Sequence, residues 1–140
     1  MPSPLAKELY TAHAHITGGR EGAAKTSDGV LDLLLATPGT GKPGTNPEQL
    51  FAVGYSACFL SAMHIAALHS KVKWPKDAAI DTDVTLGQTA KDEYQLRVVM
   101  HIDLPGLDAE TKRKLVEAAH ATCPYSRATR GDIEVEQRVK

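Results

Sequence analysis

An α+β domain is predicted by three features of the chain. Alternating segments broken by glycines stand at the N-terminal end, one long apolar helix follows, and a strand pair, a second helix and a last strand close the order. The 140 residues, 42% of them hydrophobic, suffice for one core and are few for two independent ones. A single domain over residues 1–140 is therefore expected, and no internal repeat or low-complexity segment interrupts it.

Leu9 to Thr17 alternates, with Tyr10, Ala12, Ala14 and Ile16 on one side and Leu9, Thr11, His13, His15 and Thr17 on the other, which predicts a strand. Gly18, Gly19 and Gly22 break it. Val30 to Ala36 predicts a second strand, entered through the Asp28-Gly29 hairpin signal. The Gly- and Pro-rich segment Thr37 to Thr45 reads as a surface loop. Asn46 as cap, Pro47 at the first helical position and Glu48 in the first turn then start a helix that runs to His69. Apolar residues surround nearly its whole circumference, which predicts burial on most sides. Ala78 to Thr89 and Tyr94 to Leu104 predict a strand pair joined by the polar turn Ala90-Lys91-Asp92-Glu93. Asp108 caps a second helix, Glu110 suits its dipole, and Leu115, Val116, Ala118, Ala119 and Thr122 form its inner stripe. Cys123-Pro124 ends it. Ile133, Val135 and Val139 supply the final strand.

Lys and Arg number 16 against 17 Asp and Glu, a net charge of −1 that argues against a nucleic-acid partner. Met1 to Tyr10 lacks the apolar core of a signal peptide, and no uninterrupted apolar run approaches the ~18 residues of a membrane span. A cytoplasmic location is expected. In a reducing cytosol a permanent disulfide is rare, so any bond between Cys58 and Cys123 is expected to be transient and catalytic.

The two cysteines occupy unlike settings. Cys58 lies inside the small-residue helical run Gly54-Tyr55-Ser56-Ala57-Cys58-Phe59-Leu60-Ser61-Ala62, whereas Cys123 precedes a proline at a helix end. A mid-helix thiol is held rigidly and one at a helix-to-turn junction can move when attacked, a division of labour that suits a two-thiol redox centre. Two inert core cysteines are the alternative reading, because free cysteine is among the most buried residue types.

Five blocks carry a resemblance that spans about Tyr10 to Val135. They are Thr17-Gly18-Gly19-Arg20-Glu21-Gly22, Ser27-Asp28-Gly29, Gly44 to Tyr55 leading into Cys58, Cys123-Pro124-Tyr125-Ser126, and Arg127-Ala128-Thr129-Arg130-Gly131. In that order they resemble the organic hydroperoxide resistance branch of the Ohr/OsmC family of thiol peroxidases, antioxidant proteins of the stress response. Departures such as Lys42-Pro43 and Asp132 read as lying away from the matched reactive positions. The resemblance implies an OsmC-like fold, with antiparallel sheets around a long buried central helix, and an intertwined homodimer with active sites at the subunit interface. The apolar circumference of the central helix, too large for one chain to cover, points to a partner subunit as well.

By the same resemblance Cys58 is the peroxidatic nucleophile, Cys123 the resolving thiol, and Glu48 the carboxylate that orients an arginine. A thiol at its ordinary pKa is only a few per cent thiolate at neutral pH, and a mid-helix site gains little from the helix dipole, so Cys58 needs a nearby cation. Arg20, whose guanidinium stays charged and can hold both thiolate and peroxide oxygen, fits that need and matches the family's arginine. Glu48 is equally explained as a charge suited to the helix dipole. On one regular helix Glu48 and Cys58 stand about 15 Å apart along the axis and about 80° apart around it. A shared site therefore requires either that Arg20 bridge much of that distance or that Cys58 come from the other subunit, and the second, with Arg20 and Glu48 from one chain, is the expectation. Gln49 and Tyr125 are candidate supporting residues.

The expected reaction reduces alkyl or lipid hydroperoxides to alcohols through a Cys58 sulfenic acid and a Cys58–Cys123 disulfide. The resemblance implies recycling by a dihydrolipoyl group on a lipoylated partner, with no bound cofactor. A metal centre is not expected, since His64 and His69 diverge by about 140° on the helix and the His13/His15 pair has no further ligand spacing. A non-enzymatic binding module for a lipid or other small ligand, and a thiol redox sensor, are the alternative classes.

Overall fold

The computed structural model describes residues 2–140, which form two compact units divided after Pro47. The first holds a three-stranded antiparallel sheet of β1 (Ala14–Thr17), β2 (Ala23–Thr26) and β3 (Asp32–Leu34) in that order. A 3-10 turn, Gly19–Glu21, joins β1 to β2. Gly22 is required there, because a Cβ on it would fall 1.7 Å from the Thr17 carbonyl oxygen. The expected hairpin signal is real: Asp28 Oδ1 accepts from Thr26 Oγ1 at 2.7 Å and from the Val30 N–H at 3.0 Å, and Gly29 takes φ 72°.

Two expectations for this unit need correction, and a third strand joins them. The strand anticipated from Leu9 covers only Ala14–Thr17, because its partner β2 reaches no further than the Ala14–Thr26 pair before the hairpin turns away. The strand anticipated over Val30 to Ala36 shrinks to Asp32–Leu34, with Val30 inside the turn and Leu35 in an isolated parallel bridge to Thr45. β2 itself, Ala-Ala-Lys-Thr, carries no apolar alternation and escaped the pattern.

α1 (Pro47–His69) leads into the second unit, with the boundaries its start signals require. β4 (Ala79–Gln88) and β5 (Tyr94–Asp103) pair antiparallel, from Ala79–Asp103 to Gln88–Tyr94. α2 (Ala109–Thr122) is capped by Asp108, whose Oδ1 accepts the Thr111 N–H at 2.8 Å. A short helix, α3 (Pro124–Thr129), and β6 (Val135–Val139) complete the unit. β6 joins β5 in parallel, Val98 opposite Val135 and Ile102 opposite Val139, so this sheet is mixed where an antiparallel one was expected. The crossover through α2 and α3 makes the parallel return possible.

The core gathers Tyr55, Phe59, Met63 and Ala67 of α1, the inward row Val98, Met100 and Ile102 of β5 with Leu104, and Leu115, Val116 and Ala119 of α2. Cys123 completes that α2 stripe, whereas Thr122 is exposed and Ala118 only half-buried. α1 is long and apolar enough to cross a membrane by length and composition, yet its buried residues form one core-facing stripe. The single chain does not cover it on most sides. Val53, Ile65 and Leu68 remain 69%, 54% and 64% exposed, because one sheet and α2 can pack against only one side of a helix.

Candidate active site

Pro124 explains where the second thiol sits. A proline cannot donate to the α2 ladder and pushes the residue before it to extended backbone, so α2 ends at Cys123, with φ −63° and ψ 123°. The same proline is pre-organised for a first helical position, and α3 starts on it. Cys123 therefore belongs to both ends: its N–H donates to the Ala119 carbonyl at 2.8 Å and its own carbonyl accepts from the Arg127 N–H at 3.0 Å.

Cys58 flanks the Tyr55–Phe59 core stripe of α1, half-buried, and its Sγ lies 3.1 Å from that of Cys123. Both thiols are free, and Cys123 is wholly buried. The thiol that solvent and small molecules can reach is thus Cys58, with Cys123 directly behind it. Burial first, and then the adjoining Cys123 thiol, push the Cys58 pKa up, while the backbone N–H of Tyr125 donates to the sulfur and opposes them. A reactive Cys58 needs a further source of positive potential.

The Tyr125 ring packs against Phe51 and Tyr55 with centroids 6.0 and 5.7 Å away. Gly54 makes the approach possible, since a Cβ there would lie 2.8 Å from the tyrosine hydroxyl oxygen. The hydrogen bond from Tyr125 to Cys58 is thus a main-chain one, while its ring is held by the two aromatic neighbours. Glu48 and Gln49 occupy the first turn of α1, about two to three helical turns from Cys58 of the same chain. Arg20 lies exposed in the 3-10 turn of the first unit. Beside it, Glu21 is held below the usual carboxylate range by a hydrogen bond from Thr37, and Lys42 Nζ comes within 3.8 Å of Glu21. Lys42 is therefore not remote from the matched residues, because the loop folds back to the Gly-Gly-Arg turn.

Polar side chains that sequence reasoning passed over stand behind the thiols. Tyr55 Oη is 2.8 Å from Ser126 Oγ and 3.3 Å from Thr129 Oγ1, and Ser126 Oγ is 3.0 Å from His120 Nδ1. Burial, and then the Arg130 charge, hold the His120 pKa below the ordinary imidazole value. The signal for them was the three-residue spacing of Cys123, Ser126 and Thr129, which puts thiol and hydroxyls on one inner face of α3. Ser56 Oγ also donates to Thr82 Oγ1 at 2.6 Å, tying α1 to β4. Among the described residues no group of three His, Cys, Asp or Glu side chains gathers as a metal site would require. His64 instead stacks on Trp74 at 4.9 Å.

The model of the family described as OsmC-like protein matches residues 39–138. An organic hydroperoxide resistance protein of Xanthomonas axonopodis pv. citri is 50% identical over 139 residues, which cover 96% of each chain. The crystal structure of the organic hydroperoxide resistance protein OhrB of Bacillus subtilis superposes with a TM-score of 0.89 at 39% identity, over 95% of this chain and 100% of that one. An organic hydroperoxide resistance protein of Legionella pneumophila has the same TM-score at 42% identity, over 96% of this chain and 99% of that one.

Proposed function

This chain belongs to the OsmC-like family, alongside organic hydroperoxide resistance proteins, and we propose that it is a thiol peroxidase that reduces organic hydroperoxides through Cys58 and Cys123. The observation that carries this reading is the pair of free thiols 3.1 Å apart, one half-buried and one wholly buried. The Cys58 thiolate attacks the distal peroxide oxygen, the O–O bond breaks, and the alkoxide leaves as the alcohol after taking a proton. Cys58 is then a sulfenic acid. The Cys123 sulfur attacks it, hydroxide leaves as water, and a disulfide forms. An external dithiol, a dihydrolipoyl group on a lipoylated protein, returns both thiols.

Arg20 supplies the positive charge that the raised Cys58 pKa calls for, and Glu48 orients it. Organic substrates suit the aromatic rings of Phe51 and Tyr125 beside the thiols. The uncovered apolar residues of α1, Val53, Ile65 and Leu68, are where a second copy of the chain packs, forming a homodimer with Arg20 and Glu48 of one chain serving Cys58 of the other. The cytoplasm, with its reducing thiol pool, is the compartment in which this cycle runs.

Turnover of cumene hydroperoxide with dihydrolipoamide as reductant tests the reading. Sustained alcohol production at substoichiometric protein is expected. Binding of hydroperoxide without loss of thiols would make the chain a ligand-binding module, and a single oxidation without turnover would make it a sensor.

A further inference from the structure

A chain of buried polar groups holds the elements that carry the two sulfurs. Tyr55 lies one turn before Cys58 on α1, Ser126 one turn after Cys123 on α3, and His120 one turn before Cys123 on α2. Tyr55 and Ser126 have no solvent exposure, and among the described residues no buried side-chain nitrogen or oxygen lacks a partner. Ser126 Oγ is 3.0 Å from His120 Nδ1 and 2.8 Å from Tyr55 Oη, so its hydroxyl links the two. His120 Nδ1 is also 3.4 Å from Gln137 Nε2, at the far end of the chain. Thr129 Oγ1 is 3.3 Å from Tyr55 and donates to the Tyr125 carbonyl at 3.0 Å, which fixes the first turn of α3 from its other side.

We propose that Tyr55, Ser126 and His120 are positioning residues for the resolving step: together they clamp α1, α2 and α3 so that the Cys123 sulfur stays within reach of Cys58. The proposal deepens the thiol-peroxidase reading and rests on it for its biological meaning. Bond formation requires the sulfurs, now 3.1 Å apart, to close to about 2.05 Å. With each backbone anchored one turn away, that closure is a rotation of the cysteine side chains. Without the anchor, α3, a helix of 6 residues, can shift against α1 and carry Cys123 out of line. The first oxidation at Cys58 needs none of this, because the nucleophile sits on the long helix.

Ellman's reagent separates the two steps without any peroxide. The Cys58 thiolate displaces one thionitrobenzoate and becomes a mixed disulfide; Cys123 then attacks the Cys58 sulfur, releasing the second thionitrobenzoate and leaving the Cys58–Cys123 disulfide. In Tyr55→Phe the second release should slow by roughly tenfold, the effect of losing one buried hydrogen bond, while the first stays within about twofold of wild type. Ser126→Ala, which removes one oxygen, repeats the test should Tyr55→Phe not fold. His120→Asn, which keeps a hydrogen-bonding group near the Nδ1 position, should release the second thionitrobenzoate faster than His120→Leu. Equal slowing of both phases, an unchanged second phase, or no advantage of asparagine over leucine would overturn the clamp. A slowed second phase in a protein that does not turn over cumene hydroperoxide would keep the clamp and remove the peroxidase reading.

Discussion

Gly54→Ala sets two effects of opposite sign against each other. In a helix interior, alanine is favoured over glycine by about 1 kcal/mol, so on propensity alone the substitution should stabilise α1. The new methyl would lie 2.8 Å from the Tyr125 hydroxyl oxygen, 3.2 Å from Cζ and 3.4 Å from Cε2. Rotating the hydroxyl proton cannot relieve this, because the ring carbons are also too close and the whole ring must retreat by several tenths of an ångström. Phe51 and Tyr55 stand on its other sides, and overpacking of this kind costs about 1–3 kcal/mol. The net expectation is a loss of about 1 kcal/mol, within the range of the two opposing terms. Urea unfolding of reduced protein at one fixed concentration measures it. In a Tyr125→Ala background the clash is gone, and Gly54→Ala should become stabilising by about 1 kcal/mol. A stabilised single variant with Tyr125 intact, or no change of sign between the backgrounds, would refute the reasoning.

Three further outcomes are expected. Arg20→Ala should slow alkylation of Cys58 more at about pH 6 than at about pH 9, since high pH supplies thiolate without help, and Arg20→Lys should restore only part; an unchanged pH profile removes the arginine from this role. Inactive Cys58→Ser and Arg20→Ala chains, refolded together, should recover about a quarter of wild-type activity, because half of the dimers are mixed and each has one intact site; no recovery would place each site within one chain, and a monomer by sedimentation would remove the dimer. His120 is neutral in the fold at a pH where the unfolded chain already binds its proton, so stability should fall as the pH drops below the unfolded value of about 6.5, and should go on falling until the lower folded value is passed. The loss should be shallower in His120→Asn; equal slopes of unfolding free energy against pH would mean that His120 takes no part.

The central helix was legible because asparagine, proline and glutamate mark its start, and His69 closes a long apolar run that no glycine or proline interrupts after Gly54. Its partial exposure was legible too, since a helix apolar all round has more surface than one sheet and one further helix can cover. Pro124 was read as a stop signal and was also a start signal, which hid α3. Val135–Val139 has the same alternation whether it pairs parallel or antiparallel, so only the crossover reveals its direction. At the site, the cysteine pair was legible from residue type and motif. The Tyr55–Ser126–His120 chain was not, because it exists only where α1 meets the α2–α3 junction, with Tyr55 and Ser126 standing 71 residues apart in the sequence.

Thiol counting during stoichiometric titration with cumene hydroperoxide tests the central claim most directly. Reduced wild-type protein should lose both free thiols, Cys58 and Cys123, on consuming a single equivalent, with one alcohol formed. Cys123→Ser should consume the same first equivalent and stop at the sulfenic acid, and Cys58→Ser should consume none. Hydroperoxide consumed by Cys58→Ser but not by Cys123→Ser would reverse the two roles, and a wild-type protein that kept both thiols through the titration would contradict the account altogether.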